Sequence, residues 1–369
     1  MKRITPFIVM DILAKARKNP DAVHLEVGEP DIPPSPLVKE AFIRAVRDDR
    51  FFYTPSCGIW ELREKIAEHY LRTYGVTVPP ERIIVTPGTS GAFLIVFSLL
   101  RECGKRMILA DPSYPCYKNF AYYAGIEPEF VTVGKETNYE IDHEAVRTSK
   151  DAGSIMVSSP ANPTGNIHSA GTLQKLISVC REKEMCFVSD EIYHGLVYDS
   201  QEHTALEYSD DAIVINSFSK AFCMPGLRVG WMILPQSMIR KAEILIQNLL
   251  IATNTPSQYA VLEAFDYPYL AATRDRFRQR RDFLVGALRD IFTIDAQPQG
   301  AFYVWANIER YSNDTLAFCN QLLEQEGVAI TPGIDFGSRW TSYVRFAYTR
   351  EIPVMAEGVA RIRRFLETL

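Results

Sequence analysis

Ser154-Ile155-Met156-Val157-Ser158-Ser159 and Cys186-Phe187-Val188-Ser189-Asp190 are two short apolar runs separated by an amphipathic stretch at 170–184. A brief run of branched and aromatic residues reads as a strand buried on both faces, and the longer periodic stretch as a helix. Strand, helix and strand in that order make a crossover that returns the second strand parallel to the first. The pattern extends outward in both directions. Residues 82–86, 106–110, 212–217 and 229–234 read as further buried strands, and 93–101 as another covering helix. The link at 218–228 contains Pro225 and Gly226 and is too short for a crossover helix, so the last two strands pair antiparallel. The fold class expected is α/β, with a mixed, mostly parallel sheet covered by helices.

After Pro235 the character changes. Helical stretches at 238–251 and 269–292 precede short strands at 301–306 and 342–348, which implies a smaller α+β unit. A chain of 369 residues is long enough for two unequal domains. The boundary is placed inside the long charged helix, giving a large domain at 41–275 and a small domain from 1–40 and 276–369. The stretch 1–16 carries Lys2 and Arg3 before an apolar patch that Asp11 and Lys15 interrupt, and it reads as an amphipathic surface helix.

The composition excludes several classes. A net charge of −5 offers no general attraction to nucleic acid or anionic lipid, and no segment has the length of apolar residues a membrane helix needs. Five arginines at 274–281 are interleaved with Asp275, Phe277 and Gln279, so the run reads as a solvated helix face. Seven cysteines form no CxxC pair and six histidines form no ligand spacing, so neither a disulfide framework nor a metal site is expected, and a reducing cytoplasm fits best.

In open α/β sheets ligands bind beyond the carboxyl ends of the strands, so the residues directly after each strand carry the functional information. The first strand is followed by Gly88-Thr89-Ser90-Gly91, a small-residue loop opening a helix, as an anion site requires. The second gives Tyr114 between two prolines, and the third gives Asn162 in a proline-fixed turn. The fourth ends on Asp190 with Tyr193 three residues on, and the fifth yields Ser217, Ser219 and Lys220, with Arg228 beyond. Each alone has a bland reading as a cap, a packed ring or a solvated charge. Together they set an anion loop, an aromatic plate, an amide, an acid, a phenol and an amine around one rim.

Ser219-Lys220 followed by Pro225-Gly226-Leu227-Arg228-Val229-Gly230 resembles the lysine signature of the class I/II aminotransferases, the aspartate-aminotransferase-like branch of the fold type I pyridoxal-phosphate enzymes. Asn162-Pro163-Thr164-Gly165, Asp190-Glu191-Ile192-Tyr193 and Val344-Arg345-Phe346 match the same family in order and spacing. The resemblance implies pyridoxal 5′-phosphate (PLP) carried on Lys220 as a Schiff base, with Lys220 also moving the substrate proton. It further implies Asp190 against the pyridine nitrogen, Asn162 and Tyr193 on the phenolic oxygen, and Tyr114 stacked on the ring. Thr89, Ser90, Ser217, Ser219 and Arg228 would hold the phosphate, joined by Tyr53 from a second subunit, which implies a homodimer with shared sites. Arg345 would grip the substrate α-carboxylate, assisted by Gly28 and Asn162.

The activity so implied is ping-pong transfer of an amino group from an α-amino acid to a 2-oxo acid such as 2-oxoglutarate or pyruvate. Two rivals keep the cofactor: a carbon-sulfur lyase working by β-elimination on the same fold, and a PLP-sensing regulatory domain. The second would need a basic DNA-binding unit that the first 40 or so residues lack. The amino donor stays open, because no second cation for a distal carboxylate can be assigned from the sequence.

Overall fold

The computed structural model describes residues 3–369. After a two-residue strand β1 (Val23–His24), seven strands build the central sheet: β2 (Ile83–Thr86), β3 (Arg106–Asp111), β4 (Glu127–Thr132), β5 (Ala152–Ser158), β6 (Cys186–Asp190), β7 (Ile213–Ser217) and β8 (Gly230–Ile233). Their order across the sheet is β2-β8-β7-β6-β5-β3-β4. Strands β3 to β7 run parallel, while β8 is antiparallel to both of its neighbours. The sheet is therefore mixed and mostly parallel, and the short 218–228 link makes the antiparallel turn expected of it.

Alternation along each strand divides the core between the two faces. Ile155 and Val157 face one hydrophobic cluster with Phe187, Trp231 and Ile233, whereas Met156, Val188 and Met232 face the other. Both clusters are buried, so the inner strands are apolar on both sides, and each large buried side chain contributes about 1.5–3 kcal/mol. The helix Ala170–Glu182 covers one face, started by Ser169, whose hydroxyl accepts from the Thr172 N–H at 3.2 Å. The helix Gly88–Leu100 packs on β7 and β8 from the other side.

The remaining strands, β9 (Tyr303–Asn307), β10 (Val328–Ala329), β11 (Thr331–Pro332) and β12 (Tyr343–Ala347), form two small sheets. In one, β11, β12 and β9 are antiparallel neighbours; in the other, β1 pairs in parallel with β10 and so ties the start of the chain to its end. The N-terminal helix, Ile8–Ala16, packs on β10 and β11 and buries Val9, Ile12 and Ala16. Met1 and Lys2 of the stretch expected to form it lie outside the described residues.

Among the differences from the sequence reading, four stand out. Strand β4 is absent from it, because Pro128 and half-exposed alternation obscure an edge strand paired on one side only. The short helix Thr255–Val261 is also absent, since it lies between two longer helical stretches. The 274–281 run is not wholly solvated: Arg280 is 1% exposed and Arg281 is buried, the first bonded to Asp31 and Glu351 and the second to Asp199. Cys103 and Cys186, 83 positions apart, bring free sulfurs to 2.7 Å although no short spacing announces the pair. Among the described residues no helix is long and apolar enough to cross a membrane.

Candidate active site

One cavity lies where the carboxyl ends of the parallel strands meet the small sheets. Thr89 after β2, Tyr114 after β3, Asn162 after β5, Asp190 at the end of β6 and Lys220 after β7 all line it. Gly28, Tyr193 and Arg345 complete the wall among the residues singled out from the sequence. Ser217 and Ser219, which are buried, and Ser90 and Arg228, which are exposed, are not among the residues that line the cavity. Tyr53 stands apart: it is 85% exposed and does not reach this cavity within the chain.

Lys220 is aimed by a hydrogen bond from Nζ to the Gly28 carbonyl at 2.7 Å. Burial, and then the positive charge of Arg345, lowers its amine to about 8, so a substantial neutral fraction exists near neutrality. Asp190 is the opposite case. Burial raises its carboxyl to about 6, and the hydrogen bond from Tyr117 Oη and one from the Ile192 N–H oppose that rise. Each of those partners is neutral, so the carboxylate faces the cavity without a cation bonded to it.

The stretch 88–91, expected as a loop, is the first turn of the Gly88–Leu100 helix, and its surroundings depend on missing side chains. Gly88 has a left-handed backbone with φ of +68°, and a Cβ there would come within 2.4 Å of the Arg228 guanidinium. A Cβ on Gly230 would meet the Gly88 backbone at 2.9 Å. Both glycines let β8 and Arg228 close against the start of the Gly88–Leu100 helix, where unpaired N–H groups favour an anion. Next to it, Ser217 Oγ donates to Ser219 Oγ at 2.8 Å and accepts from the Ser219 N–H at 3.0 Å.

Arg345 lies on β12, 2% exposed, with its guanidinium 4.2 Å from the centre of the Tyr303 ring. Nη1 donates to Asn162 Oδ1 at 2.8 Å and Nη2 to the Glu26 carbonyl at 2.5 Å, while Nε has no partner. Tyr193 and Tyr303 share a hydroxyl hydrogen bond of 2.8 Å. The Tyr114 ring stands edge-on to Tyr117 at 5.3 Å and to Phe7 at 5.8 Å.

Sequence reasoning missed Tyr117, Tyr303, Phe7 and Val9, all of which line the cavity. Tyr117 follows Tyr114 by three residues at a helix start, a spacing that puts both rings on one side. Tyr303 was within reach too: β9 pairs with β12 in the register Trp305 to Arg345, so Tyr303 shares Arg345's face. Phe7 and Val9 left no such signal. Chemically, the cavity combines an amine able to act as nucleophile or base, a carboxylate open to a cation, a guanidinium and, at Thr89, a helix start.

A family model described as aminotransferase class I and II matches residues 20–362. A valine–pyruvate aminotransferase of Mycobacterium tuberculosis is 36% identical, covering 98% of this chain and 97% of its own. Among solved structures, an aminotransferase from Mycobacterium tuberculosis superposes with a TM-score of 0.95 at 35% identity, covering 100% of this chain and 98% of that one. The aspartate aminotransferase of Thermus thermophilus with maleate gives a TM-score of 0.93 at 30% identity, covering 98% of this chain and 97% of that one.

Proposed function

The chain belongs to the class I and II aminotransferases, and from that premise we propose that it moves the amino group of an α-amino acid to a 2-oxo acid by a ping-pong route, with pyridoxal 5′-phosphate held by Lys220. The observation that carries this reading is the meeting, in one cavity, of the partly neutral Lys220 amine, the Asp190 carboxylate and the Arg345 guanidinium. Bound there, the cofactor supplies an aldehyde carbon for the amine and a ring that accepts electrons from the substrate Cα.

The residues fit that group. Asp190 is buried with neutral hydrogen-bond donors, and a protonated ring nitrogen is the cation its environment lacks. Gly88 and Gly230 leave room for Arg228 to approach a helix start, so Thr89, Ser90, Ser217, Ser219 and Arg228 would hold the phosphate. Asn162 and Tyr193 would bond the phenolic oxygen, and Tyr114 would cover the ring.

Lys220 would then bind the cofactor through its amine and afterwards take and return the proton of the substrate Cα. Its hydrogen bond to Gly28 holds Nζ on the side of the cavity where Arg345 lies. Arg345 would orient the substrate through its α-carboxylate, with Gly28 and Asn162 beside it. Tyr193 and Tyr303 keep this region dry and fixed.

The active unit would be a homodimer in which Tyr53 of each chain completes the phosphate site of the other. Phe51, Phe52 and Tyr53, 62%, 82% and 85% exposed, form an apolar ledge suited to burial against a second copy. The seven free thiols suit the cytoplasm. We place a cofactor-bearing domain at 41–275 and a smaller one at 1–40 and 276–369, a reading supported by the central sheet lying within the first and the two small sheets within the second.

The test is borohydride reduction of the protein with pyridoxal phosphate, followed by peptide mapping. Label on Lys220, together with 2-oxo acid formation that requires an amino acceptor, supports the reading. Label elsewhere removes it, and 2-oxo acid formation without an acceptor points to β-elimination instead.

A further inference from the structure

The same cavity has a side made by the N-terminal helix. Phe7, Val9 and Met10 line it from there, with Val27 and Ile192 from neighbouring segments. Resting on the transaminase reading, we infer that this apolar wall selects the substrate side chain, so that the enzyme prefers α-amino acids and 2-oxo acids with apolar side chains over dicarboxylates.

Two observations carry it. The only cations lining the cavity among the described residues are Lys220 and Arg345. Both already have work, one bonded to Gly28 and the other to Asn162 and Glu26. A second substrate carboxylate would be taken from water to lie against Phe7, Val9 and Val27, where only a cation brought by the second chain could receive it. An apolar side chain in the same place gains by leaving water.

The wall is also built to a fixed position. Asp335, 3% exposed, accepts from the backbone N–H groups of Ile8 at 3.0 Å and Val9 at 3.1 Å. Those are among the donors that a helix start leaves unpaired, so Asp335 pins the first turn of the N-terminal helix from 327 positions away. Asp335 ends the short turn Gly333–Asp335 that follows β11, whose Thr331 is in register with Arg345 on β12. The guanidinium that would hold the α-carboxylate and the wall that would read the side chain thus hang on one strand pair. Their separation is set by the backbone, and Asp335 is a positioning residue for it.

Both half-reactions use one cavity, so the acceptor must pass the same wall. A monocarboxylate such as pyruvate is therefore the matched acceptor, ahead of 2-oxoglutarate.

The experiment measures binding of amino acids that lack a Cα hydrogen and cannot react. Calorimetry on the protein saturated with pyridoxal phosphate compares α-methylleucine, α-methylaspartate and 2-aminoisobutyrate, the last too short to reach the wall. α-Methylleucine should bind about tenfold or more tighter than α-methylaspartate, and kcat/KM with pyruvate as acceptor should rank leucine over aspartate by a similar factor. In Phe7→Ala and in Asp335→Asn, the advantage of α-methylleucine over 2-aminoisobutyrate should shrink several-fold. Equal binding of α-methylleucine and α-methylaspartate to the unaltered protein overturns the inference while leaving transamination standing. So does an unchanged ratio in both variants. If no amino acid binds or reacts, the transaminase reading fails with it.

Discussion

Arg345 and Asn162, 183 positions apart in sequence, meet through a 2.8 Å hydrogen bond from Nη1 to the amide oxygen. The bond ties the small sheet to the turn after β5, so the guanidinium is held from the central sheet as well as from its own strand. A second arm reaches the Glu26 carbonyl, which fixes the plane of the fork.

Arg345→Lys keeps the charge and loses that plane. One ammonium cannot serve Asn162, Glu26 and a bidentate carboxylate together. KM should rise about tenfold or more for every α-amino acid tried, equivalent to about 1.4 kcal/mol or more. Steady-state kinetics with two unlike donors checks it, and an unchanged KM would put the α-carboxylate elsewhere.

Lys220 should set a pH profile. Its amine titrates at about 8 in the folded chain against the usual 10.5, so the neutral fraction grows as pH rises through 8. Capture of pyridoxal phosphate by the cofactor-free protein should speed up about tenfold between pH 7 and 9 and then level off. Stability follows the same sign. Between about 8 and 10.5 the unfolded chain keeps a proton that the folded one has lost, so the cofactor-free protein gains stability as pH rises through that window. Stopped-flow absorbance and thermal melts read the two effects separately; a flat capture rate would mean that another group limits the reaction.

Asp190→Asn separates affinity from stability. The folded carboxyl is raised from 3.8 to about 6, so the stability it contributes is present below 3.8 and lost as pH rises through 6. At pH 7.5 the cofactor-free Asn variant should melt no lower than the unaltered protein. Its affinity for pyridoxal phosphate should nonetheless fall at least tenfold, because the ring nitrogen loses its counter-charge. A lower melting point without loss of affinity would mean that Asp190 serves the fold rather than the cofactor.

How far the site is legible in the sequence depends on how each residue reaches it. Asp190 and Lys220 stand at or just after strands whose apolar runs are plain, so their arrival at one sheet edge follows from strand direction alone. Asp335 is illegible because its partners, the N–H groups of Ile8 and Val9, belong to the other end of the chain. Arg280 misleads for a related reason: Arg278 and Gln279 before it are exposed, and only the fold brings Asp31 and Glu351 to it. Strand β4 fails differently, since Pro128 obscures a pattern already weakened at a sheet edge.

Asp31→Ala should destabilise the protein. Arg280 is buried, and its Nη1 donates to Asp31 at 2.7 Å while Nη2 reaches Glu351 at 2.6 Å. Removing Asp31 leaves a buried guanidinium with one exposed partner, at a cost of about 2 kcal/mol after allowing for solvent at Glu351. Chemical denaturation measures it. Asp31 also lies three residues beyond Gly28, so a weaker hold on that segment should loosen the carbonyl that aims Lys220.

Tyr117→Phe tests the hydrogen bond beneath the cavity. Tyr117 Oη donates to Asp190 Oδ2, and of the groups that favour the ionised carboxylate this hydroxyl has the largest effect. A hydrogen bond to a charged acceptor contributes about 1.5–3 kcal/mol, and the phenylalanine ring keeps the packing against Phe93 while removing the donor. Burial then acts with less opposition, so the Asp190 carboxyl should titrate above 6 in the variant. Only the ionised form pairs with a ring nitrogen, so the pyridoxal phosphate association constant, followed from pH 5 to 9, should climb up to about pH 6 and level off above it in the unaltered protein. In the variant the levelling off should come about one pH unit higher, while the separate change from Lys220 stays near 8. A rise that does not move would mean that the Ile192 N–H alone keeps Asp190 ionised.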